Sequence, residues 1–432
     1  MRVFGDLNLR VMCWAFRGIT ARMARSGDLG ARVMAKGDHD MDPLFDQIRQ
    51  RGDLIDTKLG LFVTASHGTA NEILRDRRFV VPKGDLITTK FLDRPENRQL
   101  VRPLNDSLML MNPPEHTRLR KLVWPSFQHD TLRKRQPQID AMVNGVLDKL
   151  DTSGPVDLIE HFAAPIPIYA MCSVLGIPEP DVERFARWGS ILGPSLDGAK
   201  TIPQLNVLRG TLVELSAFFD ELMAYRREHE GDDVVSQMVR AELGGRPLNR
   251  KELLAVTLLL LLAGLETTLN LIGNGVIALC ANDDQRKLLI ERPELAENAV
   301  EEILRYDSPV RATVRRAREN VTVAGKTIKA KRDVLVLLGG GNKDPRVFDD
   351  PYRFDIQRPN ARDNLSMSAG VHYCLGAGLA RMVGASALRE LFRRFPDLRL
   401  AEQPERGDTR VIHSALKVPV LCQPSKAAAV AA

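Results

Sequence analysis

One cysteine with unusually small neighbours is the strongest candidate for a reactive residue in this sequence. Cys374 lies in the segment SAGVHYCLGAGLAR, residues 368–381, where four positions are Gly or Ser. The residues from Leu375 to Arg381 predict the start of a helix directly after it. Unpaired N–H groups and the positive end of the dipole at a helix N-terminus stabilise a thiolate. The segment therefore predicts a thiolate that acts as a nucleophile or as a metal ligand.

The arrangement of the cysteines excludes two common roles. They are odd in number, far apart and form no C-x-x-C pair: Cys13, Cys172, Cys280, Cys374 and Cys422. Such a pattern supports neither a disulfide framework nor a structural zinc site. A lone cysteine is usually a small buried apolar side chain, and we expect this of the four other than Cys374.

The glycines beside Cys374 indicate the kind of partner that the thiolate has. Gly370 and Gly376 allow the backbone to approach a large flat group, which a protease nucleophile does not need. A haem iron is the expected partner. The segment resembles the haem loop of the cytochromes P450, F-G-x-G-x-H-x-C-x-G, at Gly370, His372, Cys374 and Gly376. It departs from that loop at Met367, where Phe is usual, and at Ser368, where Gly is usual.

The longest apolar run, from Leu253 to Cys280, is long enough to span a bilayer. Glu266, Asn270 and Asn274 lie four residues apart on one face of this helix. Such a face is costly in lipid but suits a buried helix that borders a polar pocket. We therefore predict a buried helix and not a membrane span.

Part of this helix resembles the oxygen-activation motif A-G-x-E-T of the P450 family, at Ala263, Gly264, Glu266 and Thr267. The resemblance implies that Gly264 leaves room for dioxygen, that Thr267 assists oxygen activation and that Glu266 relays protons. The residues alone also allow a threonine bonded back to its own helix and a solvated glutamate.

Charged side chains on either side of these segments complete the resemblance. E-x-x-R at Glu302 and Arg305 is weak by itself, because exposed helices carry such pairs routinely. Its place between the central helix and the Cys loop implies a buried structural network with Arg358.

The propionates of a haem b need cationic or hydrogen-bonding partners. His116 and Arg120 lie four apart after Pro113 and Pro114, which suit a helix start. The family resemblance implies propionate binding by His116, Arg120, Arg315 and His372. Arg316 is a rival to Arg315, which the spacing from Pro309 favours. We expect the neighbouring Arg118 and Lys121 to form a solvated face.

Composition and periodicity predict the elements that must position these residues. A chain of 432 residues with 44% hydrophobic content can bury one large core. Helical periodicity outweighs short strand-like runs; the helical segments are Leu132 to Leu150, Val207 to His229, Pro293 to Tyr306 and Leu379 to Phe395, and the strand-like ones Val321 to Val323 and Val334 to Leu337. We predict a mainly α protein with small β-sheets, and by resemblance the P450 fold.

We divide the chain into an Arg-rich amphipathic extension at 1–40, a single domain at 41–423 and a disordered Ala-rich tail at 424–432. The extension could touch a membrane surface, although its apolar stretch is too short to span one. No N-terminal segment has the pattern of a secretory signal peptide, and we expect a cytoplasmic monomer.

The charge of the chain limits its partners. The net charge is +6 and the pI near 9.1, but aromatic residues make up only 5% and no nucleic-acid motif is present, so we expect no nucleic acid. The resemblance implies electrons from NAD(P)H through ferredoxin reductase and ferredoxin. The ferredoxin would dock on a basic surface near the cysteine formed by Arg118, Lys121 and Arg381.

The expected function is a monooxygenase that inserts one oxygen atom from O₂ into a lipophilic small molecule. Two alternatives stay open, a peroxide-driven peroxygenase and a haem-dependent ligand sensor without turnover. The resemblance places the substrate pocket along largely apolar segments, which favours a lipid-like, terpenoid or polyketide-like substrate; they are Leu86 to Leu110, Ile191 to Leu205, Leu262 to Thr267, Val310 to Val314 and Ile412 to Leu416.

Overall fold

A computed structural model describes residues 18–35, 40–83, 91, 97, 100–102, 104–178, 180–195, 201–241, 247–407 and 411–422. Its α-helices are α1 (Leu29–Met34), α2 (Asp42–Arg51), α3 (His67–Arg75), α4 (Glu115–Val123), α5 (His129–Arg133), α6 (Gln136–Leu147), α7 (Pro165–Leu175), α8 (Val182–Ser195), α9 (Ile202–Glu228), α10 (Val234–Arg240), α11 (Arg250–Ala281), α12 (Asp283–Glu291), α13 (Ala296–Tyr306), α14 (Leu338–Gly341) and α15 (Ala377–Arg394). Short 3₁₀ turns and one π-helical turn lie at Trp124–Phe127, Ile159–Ala163, Pro293–Leu295, Ala361–Asp363 and Gly370–His372.

The strands are short and form four small sheets. They are β1 (Ile55–Asp56), β2 (Phe62–Thr64), β3 (Phe79–Val80), β4 (Val156–Asp157), β5 (Ala312–Ala317), β6 (Val321–Val323), β7 (Lys326–Ile328), β8 (Asp333–Leu337), β9 (Arg399–Leu400), β10 (Glu405–Arg406), β11 (Ala415–Lys417) and β12 (Pro419–Leu421). The largest sheet has the order β1-β2-β8-β5-β3, in which only the β2/β8 pair is parallel. A second sheet has the order β4-β12-β9, and β6/β7 and β10/β11 form hairpins. The prediction of a mainly helical protein with small sheets is confirmed.

Helix α11 is the central element of the larger apolar core. It begins at a capping box, in which Asn249 accepts a hydrogen bond from the Glu252 N–H and Glu252 accepts one from the Asn249 N–H, each at 2.9 Å. It packs against α7, α8, α13 and α15. This helix is long and apolar enough to cross a membrane, but 72% of its apolar 18-residue stretch is buried inside the protein. The prediction of a buried helix is confirmed.

Two element boundaries differ from the sequence prediction. The predicted helix from Leu132 to Leu150 is wrong as one element, because α5 ends at Arg133 and α6 starts at Gln136 with Pro137 in its first turn. Proline lacks an N–H donor and fits the first turn of a helix, where that donor has no partner. Helix α9 begins five residues before the predicted start, where Thr201 caps it.

The N-terminal region is only partly described. Leu29 and Val33 of α1 share one apolar cluster with Leu44, Phe45 and Ile48 of α2. This part of the predicted extension therefore packs against the domain. Residues 1–17, 36–39 and the tail at 424–432 lie outside the described residues, so the three-part division stays a prediction.

Candidate active site

The loop before α15 holds Cys374 in a fixed backbone conformation. The Cys374 N–H donates to the Met367 carbonyl at 2.9 Å, and the Ser368 N–H donates to the Leu365 carbonyl at 2.8 Å. Ser368 has a φ of 60°, the left-handed conformation that glycine adopts most easily. A serine in this conformation carries backbone strain of about 1 kcal/mol or more.

The sulfur of Cys374 is partly buried and faces opposing influences. Burial raises the pKa of the thiol above its ordinary value, while the Gly376 N–H and the positive charges of Arg120 and Arg381 act to lower it. Gly376 is also the N-cap of α15. The pKa of Cys374 is raised overall, and the helix terminus and the two cations offset only part of the cost that burial imposes on the thiolate form.

The glycines of the loop have different roles. Gly370 has a φ of 68°, and a Cβ atom there would lie 2.5 Å from the Leu74 carbonyl oxygen of α3. Gly370 is thus required for packing against α3, and the prediction that it serves the approach of a flat group is wrong. A Cβ atom at Gly376 would meet open space, so the protein's own packing does not require glycine there.

Four basic side chains converge near Cys374 from three elements. The rings of His116 and His372 lie 4.4 Å apart between centroids, and Arg120 donates to the Tyr373 carbonyl at 2.7 Å. Arg315 of β5 is buried and donates to Ser368 Oγ at 3.3 Å. The loop, α4 and β5 therefore bring His116, Arg120, Arg315 and His372 together.

No carboxylate of the described residues pairs with this cluster. Arg315 donates only to Thr313 Oγ1, the Val314 carbonyl and Ser368 Oγ among the described residues, and burial lowers its pKa to about 10. His116 Nδ1 and His372 Nε2 are buried without a hydrogen-bond partner in the described part of the chain.

The two histidines are therefore held neutral. Burial, aided by Arg120, lowers the pKa of His116 to about 4, and burial with Arg315, His116 and Arg120 lowers that of His372 to about 3. The rival Arg316 differs, because it is 43% exposed and bonded to Asp333 at 2.6 and 2.8 Å. Of these two arginines, Arg315 is the one without a carboxylate partner among the described residues.

The middle of α11 carries the second part of the site. Thr267 donates to the Ala263 carbonyl at 2.6 Å, so its hydroxyl is bonded back to its own helix. Glu266 is only partly exposed, because it lies among Asn270, Ser414 and Gly193, and burial raises the pKa of its carboxyl. A Cβ at Gly264 would come within 2.5 Å of the Met171 sulfur of α7. The prediction that Gly264 makes room for dioxygen is therefore wrong, since Met171 fills that space.

A fully buried ion network connects α13 to the segment that leads into the Cys loop. Arg305 donates to both carboxylate oxygens of Glu302, at 2.7 and 2.8 Å, and Arg358 donates to the same carboxylate at 3.2 Å. The remaining N–H groups of both guanidinium groups bond to carbonyls of residues 342–353. Every charge in this network has a partner within it.

Comparison with known proteins identifies the family. The family described as Cytochrome P450 matches residues 205–410. The chain is 37% identical to cytochrome P450 140 of Mycobacterium tuberculosis over 431 residues, 97% of this chain and 98% of that protein. The chain belongs to the cytochrome P450 family. The vitamin D(3) 25-hydroxylase of Pseudonocardia autotrophica is 38% identical over 340 residues, 77% of this P450 and 82% of the relative.

Solved structures agree with this assignment. P450BioI, in complex with an acyl carrier protein ligated to hexadec-9Z-enoic acid, superposes with a TM-score of 0.81 at 30% identity, over 89% of this chain and 98% of that one. CalO2 gives the same TM-score at 28% identity, over 89% of this chain and 96% of that one. The fold is the P450 fold, and the chain is a P450 monooxygenase.

The residues present fit the haem that the family implies. A haem offers two carboxylates, and the cluster of Arg315, His372 and His116 offers a buried cation with two buried ring nitrogens that lack partners. Gly376 leaves open space beside Cys374. The donor set and the open space therefore suit a flat dianionic group next to the sulfur.

The basic surface near Cys374 differs from the sequence prediction. Arg118 is bonded to Glu252 at 2.7 Å, and Arg381 to Glu301 at 2.7 Å and to the Tyr373 hydroxyl at 3.0 Å. Arg118 is 35% exposed and Arg381 29% exposed, so both are partly solvated, but neither is a free cation. Lys121 is exposed as expected.

Other groups on this surface were not predicted. Arg133 and Lys134 are exposed next to Leu132, which packs against Gly378 of α15, and Trp124 and Tyr373 are 43% and 38% exposed. They form, with Lys121, what we call the proximal surface.

The sequence predicted Ile412 to Leu416 as a pocket segment, but no motif indicated that this hairpin, β10 and β11 with residues 411–414, contacts Glu266. Its residue Ser414 donates to Glu266, and its backbone at Ala415 donates to Asn270. Ile412 forms an isolated bridge with Val310, the two pocket positions expected from the family. The polar pair His413 and Ser414 in an apolar segment was the one available signal. Most of the predicted pocket segment from Leu86 to Leu110, as far as residue 99, lies outside the described residues.

Proposed function

We propose that this P450 hydroxylates or epoxidises a lipophilic small molecule at a haem ligated by Cys374. The observation that supports this most directly is the group of buried, anion-lacking basic side chains beside a helix-terminal cysteine. When bound there, a haem supplies dioxygen binding and reduction. The rest of the chemistry falls to side chains of this chain.

The first task of these side chains is to hold the haem. Cys374 would ligate the haem iron through its thiolate, and a thiolate ligand would supply the electron density that favours oxygen activation. Arg315, Arg120, His116 and His372 bind the two propionates. Gly376 keeps the backbone clear of the haem face. The network of Glu302, Arg305 and Arg358 is structural and fixes the segment that leads into the loop.

The second task is to deliver protons. Glu266 has a raised pKa because it is buried, so it carries a proton more readily than a solvated glutamate does. Thr267 is its neighbour, and its hydroxyl oxygen keeps a lone pair to accept a hydrogen bond while it donates to Ala263. We assign Glu266 to proton uptake and Thr267 to guiding the proton toward the reduced oxygen.

We assign electron delivery to a ferredoxin that receives electrons from NAD(P)H through a ferredoxin reductase. The proximal surface supports this, because exposed Lys121, Arg133 and Lys134 would attract an acidic protein, and exposed Trp124 and Tyr373 offer contact area. Cys374 lies directly after Tyr373, which keeps the electron path short. We also propose that the protein acts as a cytoplasmic monomer.

The proposed substrate class follows from apolar pocket positions and from the relatives. Val310 and Ile412 meet in a bridge, and Leu262 and Leu265 precede the Glu266 turn of α11. One relative is named as a vitamin D(3) 25-hydroxylase and another, from Saccharopolyspora erythraea, as a 6-deoxyerythronolide B hydroxylase. These names support a lipid-like, terpenoid or polyketide-like molecule.

Replacement of the cysteine tests the central part of this proposal. Cys374→His should still bind some haem but lose the red-shifted Soret band of the reduced CO complex, because imidazole donates less charge than a thiolate. Cys280→Ser is the matched control, since Cys280 is also partly buried but lies at the end of α11. An unchanged CO spectrum in Cys374→His would disprove the ligand assignment.

Turnover with a surrogate ferredoxin system separates enzyme from sensor. Candidate substrates that shift the haem spectrum should also give product coupled to NAD(P)H use. Spectral shifts without any product would favour a ligand sensor. Product formed with hydrogen peroxide but not with ferredoxin would favour a peroxygenase.

A further inference from the structure

Two neutral donors meet on one oxygen of the Glu266 carboxyl group. Ser414 Oγ donates to Oε1 at 3.2 Å, and Asn270 Nδ2 donates to the same oxygen at 3.3 Å. The orientation of the Asn270 amide is itself fixed, because its Oδ1 accepts the Ala415 N–H at 2.9 Å. The C-terminal hairpin thus contacts Glu266 directly through Ser414 and indirectly through Asn270.

The other carboxyl oxygen lies on the opposite side, against α8. A Cβ atom placed on Gly193 would be 2.7 Å from Glu266 Oε2 and 2.7 Å from Cδ. Any larger residue at Gly193 would therefore force the carboxyl group to move. Oε2 makes no hydrogen bond with a described residue.

We propose that Ser414 is a positioning residue for Glu266, which with Asn270 holds Oε1 so that Oε2, beside Gly193, carries the relayed proton. An oxygen that accepts two hydrogen bonds is a poor place for a further proton, so the acid proton resides on Oε2. On delivery the Oε2–H bond breaks and the proton leaves toward Thr267, and a hydronium ion from the solvent side returns a proton to Oε2 and leaves as water. The inference rests on the proposed role of Glu266 in proton uptake.

The described side chains that contact the Glu266 carboxyl group are all neutral. Helix α8 presents Gly193, the hairpin presents Ser414, and α11 presents Asn270, none of which is ionisable. The charged residues of the hairpin region, Arg406 and His413, are bonded to Asp307 at 3.0 and 2.6 Å. Within the described residues, the hydrogen bonds from Ser414 and Asn270 are what lowers the pKa of the buried carboxyl, while burial raises it.

Removal of one hydroxyl group tests the proposal. In Ser414→Ala, the carboxylate loses one donor, so the pKa of Glu266 should rise by about half a unit or more, a threefold or larger change in its acid constant. The measurement is the infrared band of the protonated carboxyl through a pH titration of the resting protein, assigned as the band that Glu266→Gln lacks. The coupling of NAD(P)H use to product should also fall, by about twofold or more.

Two further variants show whether the effect belongs to this hydroxyl. Ser414→Thr keeps the donor and should restore both the titration midpoint and the coupling. Ser216→Ala is the matched control, because Ser216 is a buried serine of α9 whose hydroxyl donates to the Leu212 carbonyl. It should change neither measurement.

The outcomes distinguish this inference from the proposed function. If Glu266→Gln leaves coupling unchanged, the proton role of Glu266 is wrong and the inference fails with it. If Glu266→Gln loses coupling but the infrared midpoint in Ser414→Ala stays where it is in the wild type, the inference alone is overturned. An equal shift in Ser216→Ala would also overturn it, since general loosening would then explain the result.

Discussion

Two buried polar clusters of this P450 differ in whether the protein alone completes them. In the network of Glu302, Arg305 and Arg358, a carboxylate and several carbonyls satisfy both guanidinium groups. In the cluster around Arg315, a buried guanidinium has only neutral partners, and His116 and His372 each keep a buried nitrogen without one among the described residues. We call them the closed network and the open cluster.

The difference separates the residues that hold the fold from those that hold a ligand. A closed ion network loses a great deal when one member is removed, because the remaining charges are then buried without a partner. An unpaired buried cation is a cost that the folded chain carries until an anion arrives. The open cluster should therefore matter little to folding and much to the retention of haem.

The largest expected effect comes from opening the closed network. Glu302→Ala leaves Arg305 and Arg358 buried without a carboxylate, so the free energy of unfolding should fall by about 3–5 kcal/mol. Urea unfolding of haem-free and haem-loaded protein measures it. Asp333→Ala, which breaks the more exposed pair with Arg316, should cost less than about 1 kcal/mol. A similar small loss in Glu302→Ala would contradict the structural role of the network.

Removing the buried cation of the open cluster should weaken haem binding and leave the stability of the haem-free protein unchanged or higher. Arg315→Leu loses a charge-assisted hydrogen bond to a propionate, about 1.5–3 kcal/mol, so haem should dissociate roughly 10 to 100 times faster. The haem-free variant should be at least as stable as the wild type, because no buried charge is left unpaired. Haem transfer to an acceptor protein gives the rate, and Arg316→Leu is the neighbouring control. If Arg315→Leu loses haem as slowly as the wild type but is much less stable without haem, Arg315 holds the fold and does not bind a propionate.

Acid should destabilise the haem-free protein through the two histidines of the open cluster. The folded-state pKa values of His116 and His372, about 4 and 3, lie below the unfolded value near 6.5, so unfolded chains take up more protons in between. Stability of the haem-free protein should thus be complete above pH 6.5 and fall as the pH drops toward 4, by on the order of 5 kcal/mol for the two histidines together. Haem-loaded protein should lose less, since propionates stabilise protonated histidine. Equal pH slopes in unfolding experiments on both forms would argue against propionates at these histidines.

The smallest effect concerns Met367, which stands where the family usually has Phe. Met and Phe are both large and apolar, and swaps of similar volume are usually mild. We therefore expect Met367→Phe to shift the ferric/ferrous potential by less than about 30 mV, or about 0.7 kcal/mol for one electron. Potentiometric titration without substrate, with the spin state checked, measures the shift. A larger shift would make Met367 a determinant of the potential.

The sequence predicted the members of both the closed network and the open cluster, but it did not predict the partners of other charged residues near the site. Motif spacing was enough for Cys374, for E-x-x-R and for the central helix, because each depends on residues close together in the chain. It could not show that Arg118 and Arg381 have carboxylate partners, since Glu252 and Glu301 are 134 and 80 positions away. The contact of Ser414 with Glu266 spans 148 positions and follows no motif. Long-range partners of this kind depend on how the helices and hairpins pack.

Glu266 has a consequence for the newly made chain as well as for the folded one. It lies near the middle of α11, the described helix that is long and apolar enough to be mistaken for a membrane anchor. A charged side chain at the centre of such a segment costs about 2.5–3.5 kcal/mol during insertion by the cell's translocation machinery. With Asn270 and Asn274 on the same face, Glu266 therefore directs the helix away from lipid and toward the protein core. Glu266, to which we assign proton uptake, thus also disfavours insertion of the newly made chain into a membrane.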